Sequence, residues 1–192
     1  MRFQKILALV SLIIAALTIV LAIIFMSGNL ANIMYYAGNE DASYDVTPFT
    51  DPAQKFCDIM LIVGIVYICC VVTLFITDTN KRRNYYITNY VSTGIAVAGA
   101  VAASAIGIIM IAILMGKFYG LDWELFKETI EDLSEIGGKD VSQSPTMFIV
   151  GIVMSILPLL DAAALILNLV WKIKLMKGEK ALLEKGFEKE VA

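Results

Sequence analysis

Residues 147–171 read MFIVGIVMSILPLLDAAALILNLVW, and the only charged side chain among them is Asp161. A helix that crosses the hydrocarbon of a bilayer needs about 20 predominantly apolar residues. This stretch is long enough and is followed at once by a basic run beginning at Lys172. It therefore reads as a membrane span with one acid inside it.

Three further windows have the same character. They are residues 5–26, 57–77 and about 88–115. The chain has 192 residues, of which 59% are hydrophobic and only 17% charged, with a mean hydropathy of +0.78. A soluble domain carries about a quarter of its residues as charges. The expected fold is an all-α membrane protein, a four-helix transmembrane bundle forming a single domain. The first window follows Arg2 and includes Lys5, but its apolar run is too long for a secretory signal and no small-residue cleavage site closes it. It reads as an uncleaved anchor.

The distribution of Lys and Arg sets the expected orientation. Eleven lie on the side of the termini and the 78–87 turn, and four lie on the side of the two longer loops. Both termini are expected in the cytoplasm, with residues 172–192 as a helical tail. The first outer loop, residues 27–56, is rich in turn formers, including Pro48 and Pro52. In the second, Trp123, Phe126, Ile130 and Leu133 recur at helical spacing, with Asp122 as a start and Gly137 as a stop. A short amphipathic helix over the outer surface is expected there.

Lipid offers helices no hydrophobic reason to associate, so small residues and hydrogen bonds must hold them together. Ala8, Ser11, Ala15, Thr18 and Ala22 form a seam of small side chains spaced three and four apart. Ser92, Ala96, Ala100 and Ser104 form a row on the third window, which is so poor in bulk that a central place is expected for it.

Several chemistries are excluded or disfavoured. There are no histidines, and no motif for a metalloprotease, a serine hydrolase or a phosphate-binding loop occurs. The cysteines, Cys57, Cys69 and Cys70, all fall in the second window and offer no disulfide framework. No basic patch with interleaved aromatics points to nucleic acid. No enzymatic activity, cofactor or metal is expected. The expected partners are the lipid bilayer and either a second copy or another membrane protein.

The candidate polar site is Asp161 with Asn168, Tyr67 and Pro158. Asp161 and Asn168 lie two helical turns apart on one face. Pro158 lacks an N–H and frees the carbonyl of Met154. Tyr67 matches Asp161 in depth, because each lies eleven residues from the end of its window, at Asp78 and Lys172 respectively. Thr18 and Ser104 are further possible partners. An aspartate at the bilayer centre costs about 2.5–3.5 kcal/mol on insertion scales. Three readings follow: a protonated acid bonded across the bundle, an ion or proton site on a transport path, or a contact at an oligomer axis.

The layout of four spans, with both ends inside and two outer loops, resembles tetraspan proteins of the claudin kind. The paired cysteines and the Gly-Leu-Trp of their first outer loop are missing, since residues 27–56 contain neither Cys nor Trp. No family is assigned on layout. The expected function is a non-enzymatic structural or protein-interaction role in a plasma membrane, bacterial by expectation. The alternative is a small ion or solute transporter or channel subunit that uses Asp161.

Overall fold

The computed structural model describes residues 2–26, 33, 45–79, 86–127 and 145–191. The described chain is all-helical, and four helices are long and apolar enough to cross a membrane. We label them α1 (Arg2–Met26), α2 (Thr47–Thr79), α3 (Tyr86–Tyr119) and α4 (Thr146–Val191). Each packs beside its neighbour in sequence, and α4 returns to α1, which closes a ring of four. The helices alternate in direction, so α1 begins and α4 leaves the ring at the same end. We call this the terminal end and the other the loop end.

The helix bounds differ from the expected windows in one informative way. α2 begins at Thr47, ten residues before the expected start at residue 57. Pro48 and Pro52, read from sequence as turn formers, lie in its opening turns. Pro48 is tolerated because the first helical N–H groups have no partner within the helix, whereas Pro52 lies inside the helix and leaves the Pro48 carbonyl without its usual N–H. Asp45 starts the helix: its Oδ1 accepts from the Thr47 N–H at 2.9 Å and from the Thr47 hydroxyl at 2.6 Å. These bonds favour the ionised carboxyl and hold its pKa below the ordinary value.

Polarity is inverted relative to a soluble bundle. On α4, Leu160 and Leu167 are 60% and 70% exposed, while the adjacent Asp161 and Asn168 are only 2% and 5% exposed. Water would favour the opposite arrangement. A lipid surround fits this one, because hydrocarbon accepts leucine and rejects an unpaired polar group.

The small-residue seam of α1 faces inward, with Ala8, Ser11, Ala15, Thr18 and Ala22 all buried. It lets α2 approach closely. A Cβ on Gly64 would fall 2.5 Å from Ile19 Cγ1 and 2.8 Å from Thr18 Oγ1. α3 makes a similar contact with α4, where a Cβ on Gly107 would meet Ser155 Oγ at 2.5 Å. α3 is not central, however. It occupies one corner of the ring and turns Val91, Ile95, Ile109 and Ile113 outward. Its small residues lie on both faces: Ala96, Ala100 and Ala103 are buried, but nothing lies within 4 Å of a Cβ on Gly94 or Gly116.

The core has two parts. Toward the loop end it is aromatic and built around Phe118, whose ring centroid lies 4.8 Å from Trp123, 5.0 Å from Phe148 and 5.4 Å from Phe49. Trp123 donates its indole N–H to the Phe118 carbonyl at 3.0 Å, so the buried ring leaves no polar atom unpaired. Residues 123–127 are helical, and Asp122 Oδ1 accepts from the N–H groups of Glu124 and Leu125 at 3.2 and 3.3 Å. Trp123 and Phe126 are buried against the bundle. The remainder of the expected amphipathic helix, with Ile130, Leu133 and Gly137, lies outside the described residues. Toward the terminal end the core is built from small side chains around Tyr67, including Ala8, Ala15, Ala96, Ala100 and Ala162.

Candidate functional site

Asp161 lies where the four helices come together. α4 presents it inward because the 3.6-residue period puts Ser155, Pro158, Asp161, Ala162, Leu165 and Asn168 on the buried stripe. Tyr67 of α2 donates its hydroxyl to Asp161 Oδ2 at 2.5 Å. Ser11 of α1 places its hydroxyl 2.6 Å from Oδ1. The Tyr67 ring rests on α3, where a Cβ on Gly99 would lie 3.4 Å from its Cδ2. Gly99 thus leaves room for the tyrosine to reach across the bundle.

The hydrogens of this cluster can be counted. Ser11 Oγ also stands 3.0 Å from the carbonyl oxygen of Leu7, one turn back on its own helix. A serine hydroxyl has one hydrogen and cannot fully serve both acceptors. If Asp161 is protonated, the acid donates to Ser11 Oγ, Ser11 donates to Leu7 and Tyr67 donates to Oδ2. Every contact then has its own hydrogen. If Asp161 is ionised, Ser11 and Tyr67 both donate to the carboxylate and the contact with Leu7 goes without a hydrogen. The neutral acid accounts for all three distances. It also avoids burying a charge with no cation beside it, which would cost far more than a hydrogen bond returns.

Of the residues expected from sequence, Tyr67 and Asp161 come together. Asn168 lies on the same face, about 10 Å further toward the terminal end at 1.5 Å per residue. Its Oδ1 is buried and has no hydrogen-bond partner among the described residues. Pro158 is buried on the same stripe, one turn toward the loop end, and α4 continues through it. Thr18, considered as a partner, instead donates to the Ala15 carbonyl at 2.6 Å. The α1 partner is Ser11, which sequence reasoning had placed only in the packing seam.

Beyond Asn168 the terminal end is polar. Lys172 Nζ donates to Asn89 Oδ1 at 2.5 Å, and Asn89 Nδ2 donates to Thr77 Oγ1 at 3.3 Å. These bonds join α4, α3 and α2 in one rim. On the other side of Asp161, Ser155 Oγ is buried without a partner among the described residues, and beyond it lies the aromatic core. Among the described residues, no three His, Cys, Asp or Glu side chains converge on one point. Comparison with protein-family models, curated proteins and solved structures finds no match to this chain.

Proposed function

We infer that the chain is a non-enzymatic, multi-pass plasma-membrane protein with a structural or protein-interaction role, its termini in the cytoplasm. In this reading Asp161 is a neutral pin holding α1, α2 and α4 in register. The observation that carries it is the pair of short contacts, 2.6 Å to Ser11 and 2.5 Å to Tyr67, made by one buried carboxyl. Hydrogen bonds of this kind are a recurrent means of joining helices in lipid.

Two substitutions test it. Asp161→Asn keeps a donor and an acceptor and should be mild. Asp161→Leu strands the Tyr67 hydroxyl and should weaken the bundle during unfolding in detergent. Unchanged stability in both would sink the pin. Orientation has its own test, once Cys57, Cys69 and Cys70 are replaced. Ser134→Cys should react with an impermeant reagent from outside the cell and Asn80→Cys should not, and the opposite pattern would invert the topology.

The second reading, a small ion or solute transporter or channel subunit with Asp161 in its path, draws on the unpartnered oxygen of Asn168. Intramembrane acids commonly mark such paths. It predicts proton- or cation-linked flux in liposomes that Asp161→Asn abolishes.

A further inference from the structure

We propose that α4 holds the headgroup of an anionic phospholipid at Lys174 and Lys177, where its lipid-facing ridge leaves the membrane. This holds for a chain that crosses a bilayer in either direction, whatever the role of Asp161.

The ridge is written at a spacing of seven residues. Val153, Leu160 and Leu167 are 55%, 60% and 70% exposed, and Lys174, the next in the series, is exposed too. Residues seven apart lie nearly on one line along a helix, drifting by about 20° per repeat. A line open to lipid therefore ends in an ammonium group. Trp171, 57% exposed, stands between Leu167 and Lys174 on the same side. An amphipathic ring of this kind settles at the level of the headgroups. Lys174 and Lys177 lie about 4.5 Å and 9 Å beyond it along the axis. The headgroup layer is about 5–8 Å deep, so Lys174 falls within it and Lys177 at its water side.

Rotation about the axis divides the lysines. Lys172 turns to α3 and donates to Asn89 Oδ1. Lys174 and Lys177 are exposed, and α4 has no acid between Asp161 and Glu179 to neutralise them. The helix runs unbroken from the span to Val191, so both side chains are fixed in rotation relative to the ridge. The neighbours at this end add charge of the same sign. α1 gives the exposed Lys5, and residues 78–85, which lead from α2 to α3, carry Lys81, Arg82 and Arg83 against Asp78.

This chemistry selects the occupant. An apolar part must lie along Leu160 and Leu167, and an anionic part must meet Lys174 at the end of the same line. A phospholipid of net negative charge joins the two covalently. A soluble anion has only the second, and a zwitterionic phospholipid carries a cation of its own that opposes the lysines.

The test is fluorescence quenching of Trp171 in the full chain, reconstituted in vesicles of phosphatidylcholine and phosphatidylglycerol. One lipid at a time is brominated on acyl-chain carbons close to the headgroup. Trp123→Phe leaves Trp171 as the only tryptophan. If that variant does not fold, the difference between the wild type and Trp171→Phe isolates the same signal. At equal mole fraction, brominated phosphatidylglycerol should quench more strongly than brominated phosphatidylcholine. Each lysine near an anionic surface is worth ~1 kcal/mol, a factor of about five in relative binding. The preference should therefore fall about fivefold in Lys174→Gln and in Lys177→Gln, and vanish in the double variant. Lys117→Gln, at the loop end, should leave it unchanged. Four results would overturn the proposal: no quenching by either lipid, equal quenching by both, a preference that survives the double substitution, or an equal fall in Lys117→Gln. None of these bears on whether Asp161 pins the bundle, which the unfolding of Asp161→Leu decides separately.

Discussion

Tyr67→Phe removes one oxygen from the centre of the bundle and leaves the ring. The ring is fully buried and rests against Gly99, and phenylalanine keeps that contact. The loss is the 2.5 Å bond to Asp161. Side-chain hydrogen bonds between helices in a bilayer average about 0.6 kcal/mol and reach about 1.7 kcal/mol. A short bond to a carboxyl without water belongs in the upper part of that range, so we expect a loss of ~1–1.5 kcal/mol. The sign should reverse in an Asp161→Leu background. There the tyrosine hydroxyl has lost its acceptor, and a buried unpaired group costs ~1–3 kcal/mol. Removing it as well should then stabilise the protein. The two effects combine to a coupling of about 2 kcal/mol or more. Reversible unfolding of the four proteins of this cycle in mixed detergent, followed by helical circular dichroism, measures it. If Tyr67→Phe costs the same in both backgrounds, the hydroxyl and the carboxyl do not interact, and the pin is refuted.

Three other outcomes follow from close contacts and from the start of α2. Gly64→Ala drives a methyl to 2.5 Å from Ile19 Cγ1 and 3.2 Å from the Ile19 backbone nitrogen, so α1 and α2 must part, at ~1–3 kcal/mol in the same unfolding assay. Gly107→Ala meets Ser155 Oγ at 2.5 Å and should cost a similar ~1–3 kcal/mol. Ser155→Ala deletes that unpartnered oxygen and should recover part of the loss, leaving the double variant more stable than Gly107→Ala alone. Asp45 has a depressed folded-state pKa, so its hold on the start of α2 is complete above the ordinary aspartate value and disappears as pH falls through the lower, folded one. Hydrogen exchange at the Thr47 amide should lose protection in that acid window, and Asp45→Ala should lack the protection at every pH.

Four helices were legible because each carries an apolar run of spanning length between polar segments. The depth match of Tyr67 and Asp161 was legible for a related reason: each could be counted from the polar end of its own window. The same count failed for Ser11. It lies only six residues from Lys5, so counting from that charge sets it shallower than Asp161. How far α1 slides along its neighbours is decided by packing at Gly64, not by its own end charges. The early start of α2 was hidden because a proline such as Pro48 is common both in turns and in first helical turns, because a proline such as Pro52 is unusual inside a helix, and because the bonds to Asp45 that mark the start are not written in the pattern. The corner position of α3 was hidden because small residues on a helix show that close approach is permitted, without showing from which side it comes.

The site also bears on how such a bundle closes. α4 is made last and carries the one acid within its span, so until it docks Asp161 has no partner within its own helix. The insertion cost of about 2.5–3.5 kcal/mol is then unrelieved. Its acceptor for the acid hydrogen is on α1 and its donor is on α2. Those two helices already pack against each other through Gly64 and the small seam, which need nothing from α4. A preformed α1–α2 pair therefore offers Ser11 and Tyr67 together, and only α4 in the correct register and rotation can use both. A slip of one residue turns Asp161 by about 100°, either to the place of Leu160, which faces outward, or to that of the buried Ala162, and in both it leaves Ser11 and Tyr67. The acid thus contributes to specificity even where its net contribution to stability is small, because the alternatives it penalises are those in which a carboxyl is left alone in hydrocarbon.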